Sequence, residues 1–154
     1  MSWQVPVISQ RTPSLCWEAC ARMLWGWHHG NKPDSSNMYA KRAGNYTRMN
    51  QGLSEQHMDA YYRQLGIRSL QRPLGKNILH ALQWSPVIVT SISQVQGHAL
   101  VVIGYNSGKY EVINPCAVQM VNFGQPGEGS CTAASTMLPD SEIDNKLGKY
   151  IWYW

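Results

Sequence analysis

The apolar positions of this chain change period about halfway along it. Between Ser14 and His28, the residues Cys16, Cys20, Met23, Leu24 and Trp27 recur at three- and four-residue steps, a stripe that predicts a helix with one buried face. Ser14 stands where a cap is wanted, Glu18 falls in the first turn and Gly30 is placed to stop the helix. From His29 to Gly52 the chain is polar and glycine-bearing, which reads as a long irregular connection with a short helix near Met38. Ser54 then opens a second helix, "SEQHMDAYYRQLG", with Gly66 as its stop. "KNILHALQW" predicts a third, ended by Ser85-Pro86. Beyond that point the runs are short and rich in β-branched and aromatic residues: "PVIVTSI", "HALVVIGY" and "KYEVINP", split by "SQVQG" and "NSG". Asn106-Ser107-Gly108 reads as a hairpin turn, and "AVQMVNF" and the terminal "YIWYW" as two further strands. Helices first and antiparallel strands after them predict an α+β fold, a helical lobe packed on a sheet.

Composition narrows the class. At 154 residues, 44% of them hydrophobic and 14% charged, the chain suits one folded domain over 1–154. Its aromatic residues are 7 Trp and 8 Tyr against 1 Phe, rings that serve a partly wet groove as well as a core. The net charge of +4 is scattered, with no basic stripe, so the surface reads as solvated and no nucleic-acid partner is expected. No stretch approaches the roughly 18–20 apolar residues of a membrane span, and no membrane partner is expected. The start, "MSWQVPVISQR", lacks the charged head and apolar run of a signal peptide. That points to synthesis in the cytoplasm, or to a domain cut from a larger exported chain.

The four cysteines, at 16, 20, 116 and 131, form no CxxC pair. Cys16 and Cys20 share one helix face and are poor partners for each other. Cys116 and Cys131 bracket a Gly- and Pro-rich loop, which leaves open both a disulfide in an oxidising compartment and two free thiols. Cys20, a turn deeper in its helix, reads as a buried, inert thiol. His28, His29, His57 and His80 have no partners at ligand spacing. A metal held by Cys16, Cys20 and His98 lacks a fourth ligand, so neither metal nor other cofactor is expected.

One constellation carries chemistry. A nucleophilic cysteine needs a stabilised thiolate, a base, a group to orient the base, and donors for an oxyanion. Cys16 falls in the first turn of its helix, where open backbone N–H groups and the dipole favour a thiolate. His98 heads a buried central strand just after Gly97, whose missing side chain leaves room beside it. Asn114 lies across the hairpin; pairing symmetric about residue 106 sets it opposite His98, where its amide could hold the ring tautomer. Gln10 precedes Cys16 by a short segment containing Pro13 and is placed to donate to an oxyanion.

Gln10, "CW" at 16–17, "GHALVVIGY" at 97–105 and "INP" at 113–115 together resemble the papain-like cysteine peptidases. Gln, Cys, His and Asn stand in the papain order, with the same short Gln-to-Cys spacing and a Trp after the Cys. The compact length resembles the bacterial branch, including double-glycine leader peptidases and AvrRpt2-like type III effectors. Leader peptidases usually follow the Cys with Gly and carry Asp where Asn114 stands, so Trp17 and Asn114 pull toward papain and the effectors. The papain disulfide beside the nucleophile has no equivalent at Cys20. The resemblance implies a protein- or peptide-cleaving enzyme with Cys16 as nucleophile, His98 as base and acid, Asn114 as orienter, Gln10 in the oxyanion hole, and Trp17 packed beneath the site or closing the core. It further implies a toxin or effector delivered into a target-cell cytoplasm, with a cognate immunity or inhibitor protein in the producer. Acyl transfer or glutamine deamidation through the same thioester, leader-peptide processing, and a peptidase-like binding module are the rival readings.

Overall fold

A computed structural model describes residues 2–10, 15–31, 54–71, 73–93, 96–119 and 131–154. Helix α1 (Cys16–His28) is followed by α2 (Glu55–Gln64), strand β1 (Arg68–Gln71), α3 (Gly75–Leu82), strands β2 (Val87–Ser93), β3 (Gln96–Asn106), β4 (Lys109–Gln119) and β5 (Cys131–Pro139), the short α4 (Asp140–Asp144) and β6 (Leu147–Tyr153). The strands form one antiparallel sheet in the order β1-β6-β2-β3-β4-β5. The expected helix near Met38 lies outside the described residues.

The predicted helices form for the reasons their sequences advertise. In α2 the Ser54 hydroxyl accepts the His57 N–H, and Gly66, at φ +88°, takes the left-handed turn that ends it. Gly30, at φ +83°, does the same after α1. The cap position of α1 is Leu15, which has no side-chain acceptor to offer; Ser14, expected there, lies outside the described residues. In α3 the Asn77 carboxamide accepts the Leu74 N–H, and the helix stops at Leu82, two residues short of the expected Trp84.

The sheet is covered on both faces, whereas the pattern predicted a single helical lobe. Trp17, Cys20, Ala21 and Leu24 of α1 and Tyr61 and Tyr62 of α2 pack with Ile88, Val101, Ile113 and Trp152. Ile78 and Ala81 of α3 and Ile143 of α4 pack with Val87, Val89, Leu100, Val102, Val112 and Ile151. Residues of β3 therefore alternate between two apolar layers, which is why "HALVVIGY" is apolar almost throughout. Two elements carry no clear signal in the pattern: β1, four residues at a sheet edge, and β5. Of the expected separate strand "AVQMVNF", residues 117–119 continue β4 and residues 120–123 lie outside the described residues.

The hairpin turn sits where it was expected, with Ser107 at φ 52° and Gly108 at φ 80° between paired Asn106 and Lys109. Its centre lies beyond residue 106, and the register slips once more between Val102 and Gly104. Val101 faces Ile113, so Asn114 falls diagonally from His98 instead of opposite it. A second irregularity separates Asn114 and Val118 in the β4–β5 ladder. The N-terminal segment is fastened at these two irregularities. The carbonyl of Ile103 accepts the Trp3 N–H at 2.8 Å, and that of Pro115 accepts the Gln10 N–H at 3.1 Å.

Candidate active site

Cys16 is the first residue of α1, and its thiol is reduced and partly exposed. The first N–H groups of a helix have no partner one turn back, so the sulfur sits beside open donors and the positive dipole end. Glu18, in the same first turn, would oppose a negative sulfur. It is buried against Arg22, with Nε and Oε1 3.5 Å apart, and the guanidinium offsets its charge.

His98 bridges Cys16 and Asn114. Its Nε2 lies 2.6 Å from Asn114 Oδ1, and Cys16 lies close enough to raise the ring's pKa. The tautomer follows from a third contact. Asn114 Oδ1 also accepts the Cys116 backbone N–H at 2.9 Å, and a backbone N–H only donates. The shared atom is thus the amide oxygen, His98 Nε2 must carry a proton, and Nδ1 is left to face the sulfur. Burial pushes the His98 imidazolium down, but the hydrogen bond to Cys16, the Cys16 charge and the bond to Asn114 together raise its pKa above 6.5. The diagonal register explains the reach: a side chain extends across two residue positions of a neighbouring strand more easily than backbone register alone implies.

Gln10 arrives at the same place by a different route. It is 2% exposed, and its backbone is pinned to Pro115, the residue after Asn114. Ser9 is fastened to the facing strand, its hydroxyl accepting the Ala133 N–H at 2.9 Å. Gly97 lies in β3 opposite Ile92. Trp17 is in the core, edge-on to Tyr61 with centroids 5.0 Å apart, and its carbonyl accepts the Tyr62 hydroxyl at 2.6 Å. Cys20 is fully buried; burial first, then the neighbouring Cys16, pushes its thiol well above the ordinary range and keeps it inert. Cys116 and Cys131 are joined in a disulfide. Among the described residues no group of three or more His, Cys, Asp or Glu side chains is placed to hold a metal ion.

What the residue pattern did not reveal is the part played by the backbone after Asn114. The Cys116 N–H fixes the orienting amide and the Pro115 carbonyl fixes the Gln10 segment. The only hint was a cysteine two residues beyond the Asn.

This arrangement can deprotonate a thiol, hold the resulting imidazolium and return its proton to a leaving group. No curated protein matches the chain in sequence. Among solved structures, it superposes on a double-glycine-motif protease from an AMS/PCAT transporter in complex with the leader peptide, with a TM-score of 0.63 and 15% identity over 99% of this chain and 93% of that one. It also superposes on the peptidase domain of Streptococcus ComA, a bi-functional ABC transporter involved in a quorum-sensing pathway, with a TM-score of 0.64 and 14% identity over 97% and 96% of the two chains. These likenesses establish a papain-like α+β fold. The sequence model of one family, described as the papain-like cysteine protease AvrRpt2, matches residues 1–137. The chain belongs to that family and is a papain-like cysteine protease.

Proposed function

We propose that the chain is a cysteine endopeptidase working through Cys16, His98 and Asn114. The Cys16 thiolate attacks the scissile carbonyl, and the Gln10 amide with the Cys16 backbone N–H receives the oxyanion. His98 gives its proton to the leaving amine, and water, activated by the now neutral ring, hydrolyses the thioester. Asn114 holds the ring in the tautomer that presents Nδ1 to sulfur. The observation that carries this reading is the His98 ring, hydrogen-bonded to Asn114 and close enough to Cys16 for the thiol to raise its pKa.

The substrate is a protein or peptide. The biological role we propose is that of a bacterial toxin or effector delivered into a target cell, its producer guarded by an inhibitor or immunity protein. The AvrRpt2 family match supports this, as does a disulfide, which forms in oxidising compartments. The protein is to be incubated with target-cell lysate and new peptide N-termini mapped by mass spectrometry, with Cys16→Ala as control. New N-termini that need Cys16 are expected. A glutamine-to-glutamate change or a new isopeptide bond without cleavage would replace hydrolysis with deamidation or transfer.

A further inference from the structure

The β4–β5 ladder lapses between Asn114 and Val118, so the sheet does not fix residues 115–117. That short bulge nevertheless makes two contacts on which the site depends. The Cys116 N–H donates to the Asn114 oxygen that accepts from His98, and the Pro115 carbonyl takes the Gln10 N–H. What ties the bulge back is the disulfide from Cys116 to Cys131, whose Cα atoms are 4.7 Å apart. Cys131 is buried and opens β5 where pairing has resumed, opposite Gln119. From Ser9, the Gln10 segment reaches the same strand two residues on, at Ala133.

We propose, building on the peptidase reading above, that the Cys116–Cys131 disulfide is a positioning element of the active site and makes the enzyme redox-dependent. Closed, it holds the bulge so that the Cys116 N–H aims the Asn114 oxygen at His98 and Pro115 aims the Gln10 segment. A dithiol reductant opens it by supplying two electrons and two protons: the S–S bond breaks, Cys116 and Cys131 become thiols, and the dithiol becomes a disulfide. The bulge is then held by hydrogen bonds alone. The enzyme is therefore weak in the reducing cytoplasm where it is made and active after export, and in a target cytoplasm it works until the bond is reduced. Cys16, apart from this pair, remains a thiol throughout.

The test is the pH dependence of Cys16 alkylation by iodoacetamide, resolved by peptide mass mapping, in wild type and in Cys116→Ser/Cys131→Ser well below the melting temperature. Small misplacements of catalytic groups cost up to about 100-fold, and we expect reactivity on the acidic side to fall by about 10-fold or more in the folded variant. A disulfide that only stabilises would lower the melting temperature and leave the profile of the folded protein unchanged, and that result overturns the proposal. If the variant does not fold, wild type reduced with dithiothreitol and freed of reductant is compared with the same sample reoxidised. Recovery of acidic-side reactivity on reoxidation supports the proposal; an unchanged profile, or global unfolding on reduction, overturns it. If oxidised wild type shows no enhanced acidic-side reactivity at Cys16, the peptidase reading itself has failed and takes the proposal with it.

Discussion

Replacing Asn114 by Ala removes one oxygen and thereby two hydrogen bonds, from His98 Nε2 at 2.6 Å and from the Cys116 N–H at 2.9 Å. The effect on His98 is read most cleanly with Cys16→Ala as background, because the thiol is the other group that raises the ring's pKa. A hydrogen bond from a charged donor is worth about 1.5–3 kcal/mol and one from a neutral donor about 1 kcal/mol. The amide therefore favours imidazolium over imidazole by about 0.5–2 kcal/mol. Asn114→Ala lowers the His98 pKa, and the titration moves to lower pH by the equivalent of that energy. The assay is an NMR titration of the His98 ring signals, assigned by their loss in His98→Ala. Asn114→Asp keeps an acceptor and adds negative charge, so it moves the same titration upward. If His98 titrates at the same pH with and without the Asn114 amide, the orienting hydrogen bond is not formed and the tautomer argument fails. The Cys116 N–H left without its acceptor costs about 1 kcal/mol, which lowers the melting temperature of a domain this size by about 2–4 °C.

Other residues give further checks. His98 has a raised folded-state pKa, so its contribution to stability is fully present below pH 6.5 and is lost as pH rises through the folded value; the unfolding free-energy difference between wild type and His98→Ala should shrink along that rise in denaturant titrations. Asp59→Ala strands the buried Trp152 indole N–H, which donates to Asp59 Oδ1 at 3.0 Å, and should cost about 1–3 kcal/mol in urea unfolding, while Asp59→Asn recovers most of it. Gly148→Ala drives a methyl group into Glu55 Oε1 and Thr90 Oγ1, which are hydrogen-bonded to each other, and should destabilise by about 1–3 kcal/mol by the same measurement.

Much of the fold was legible because local signals agreed with one another. Helix α1 has its stripe and Gly30, α2 has Ser54 and Gly66, and the β3–β4 hairpin has Asn-Ser-Gly at its tip. The strands without a local signal were not legible. The four residues of β1 form an edge too short to show alternation, and β5, "CTAASTMLP", is mostly small and polar and is held by its ladder to β4. Pro115 looked like a strand end, yet β4 resumes after the bulge that accommodates it. The pairing of Cys116 with Cys131 was left open because spacing alone does not bring two thiols together; the bulge that carries Cys116 beside β5 does. At the site, the side chains of the proposed triad were picked out by order and spacing, but the diagonal offset of His98 and Asn114 depends on where the hairpin turns and on the slip between Val102 and Gly104. The carbonyls that anchor Trp3 and Gln10 belong to that slip and to the irregularity between Asn114 and Val118 in the β4–β5 ladder, and have no residue signature.

The central claim is that Cys16 and His98 act as a thiolate–imidazolium pair. The most direct measurement is the rate of Cys16 alkylation by iodoacetamide against pH, followed by peptide mass mapping with Cys20 as internal reference, in wild type and His98→Ala. The pair predicts that wild-type Cys16 reacts well below the pH of an ordinary thiol, far faster than the buried Cys20, and that His98→Ala loses this acidic-side reactivity. Reactivity at Cys16 that is as slow as at Cys20, or that is unchanged when His98 is removed, would contradict it.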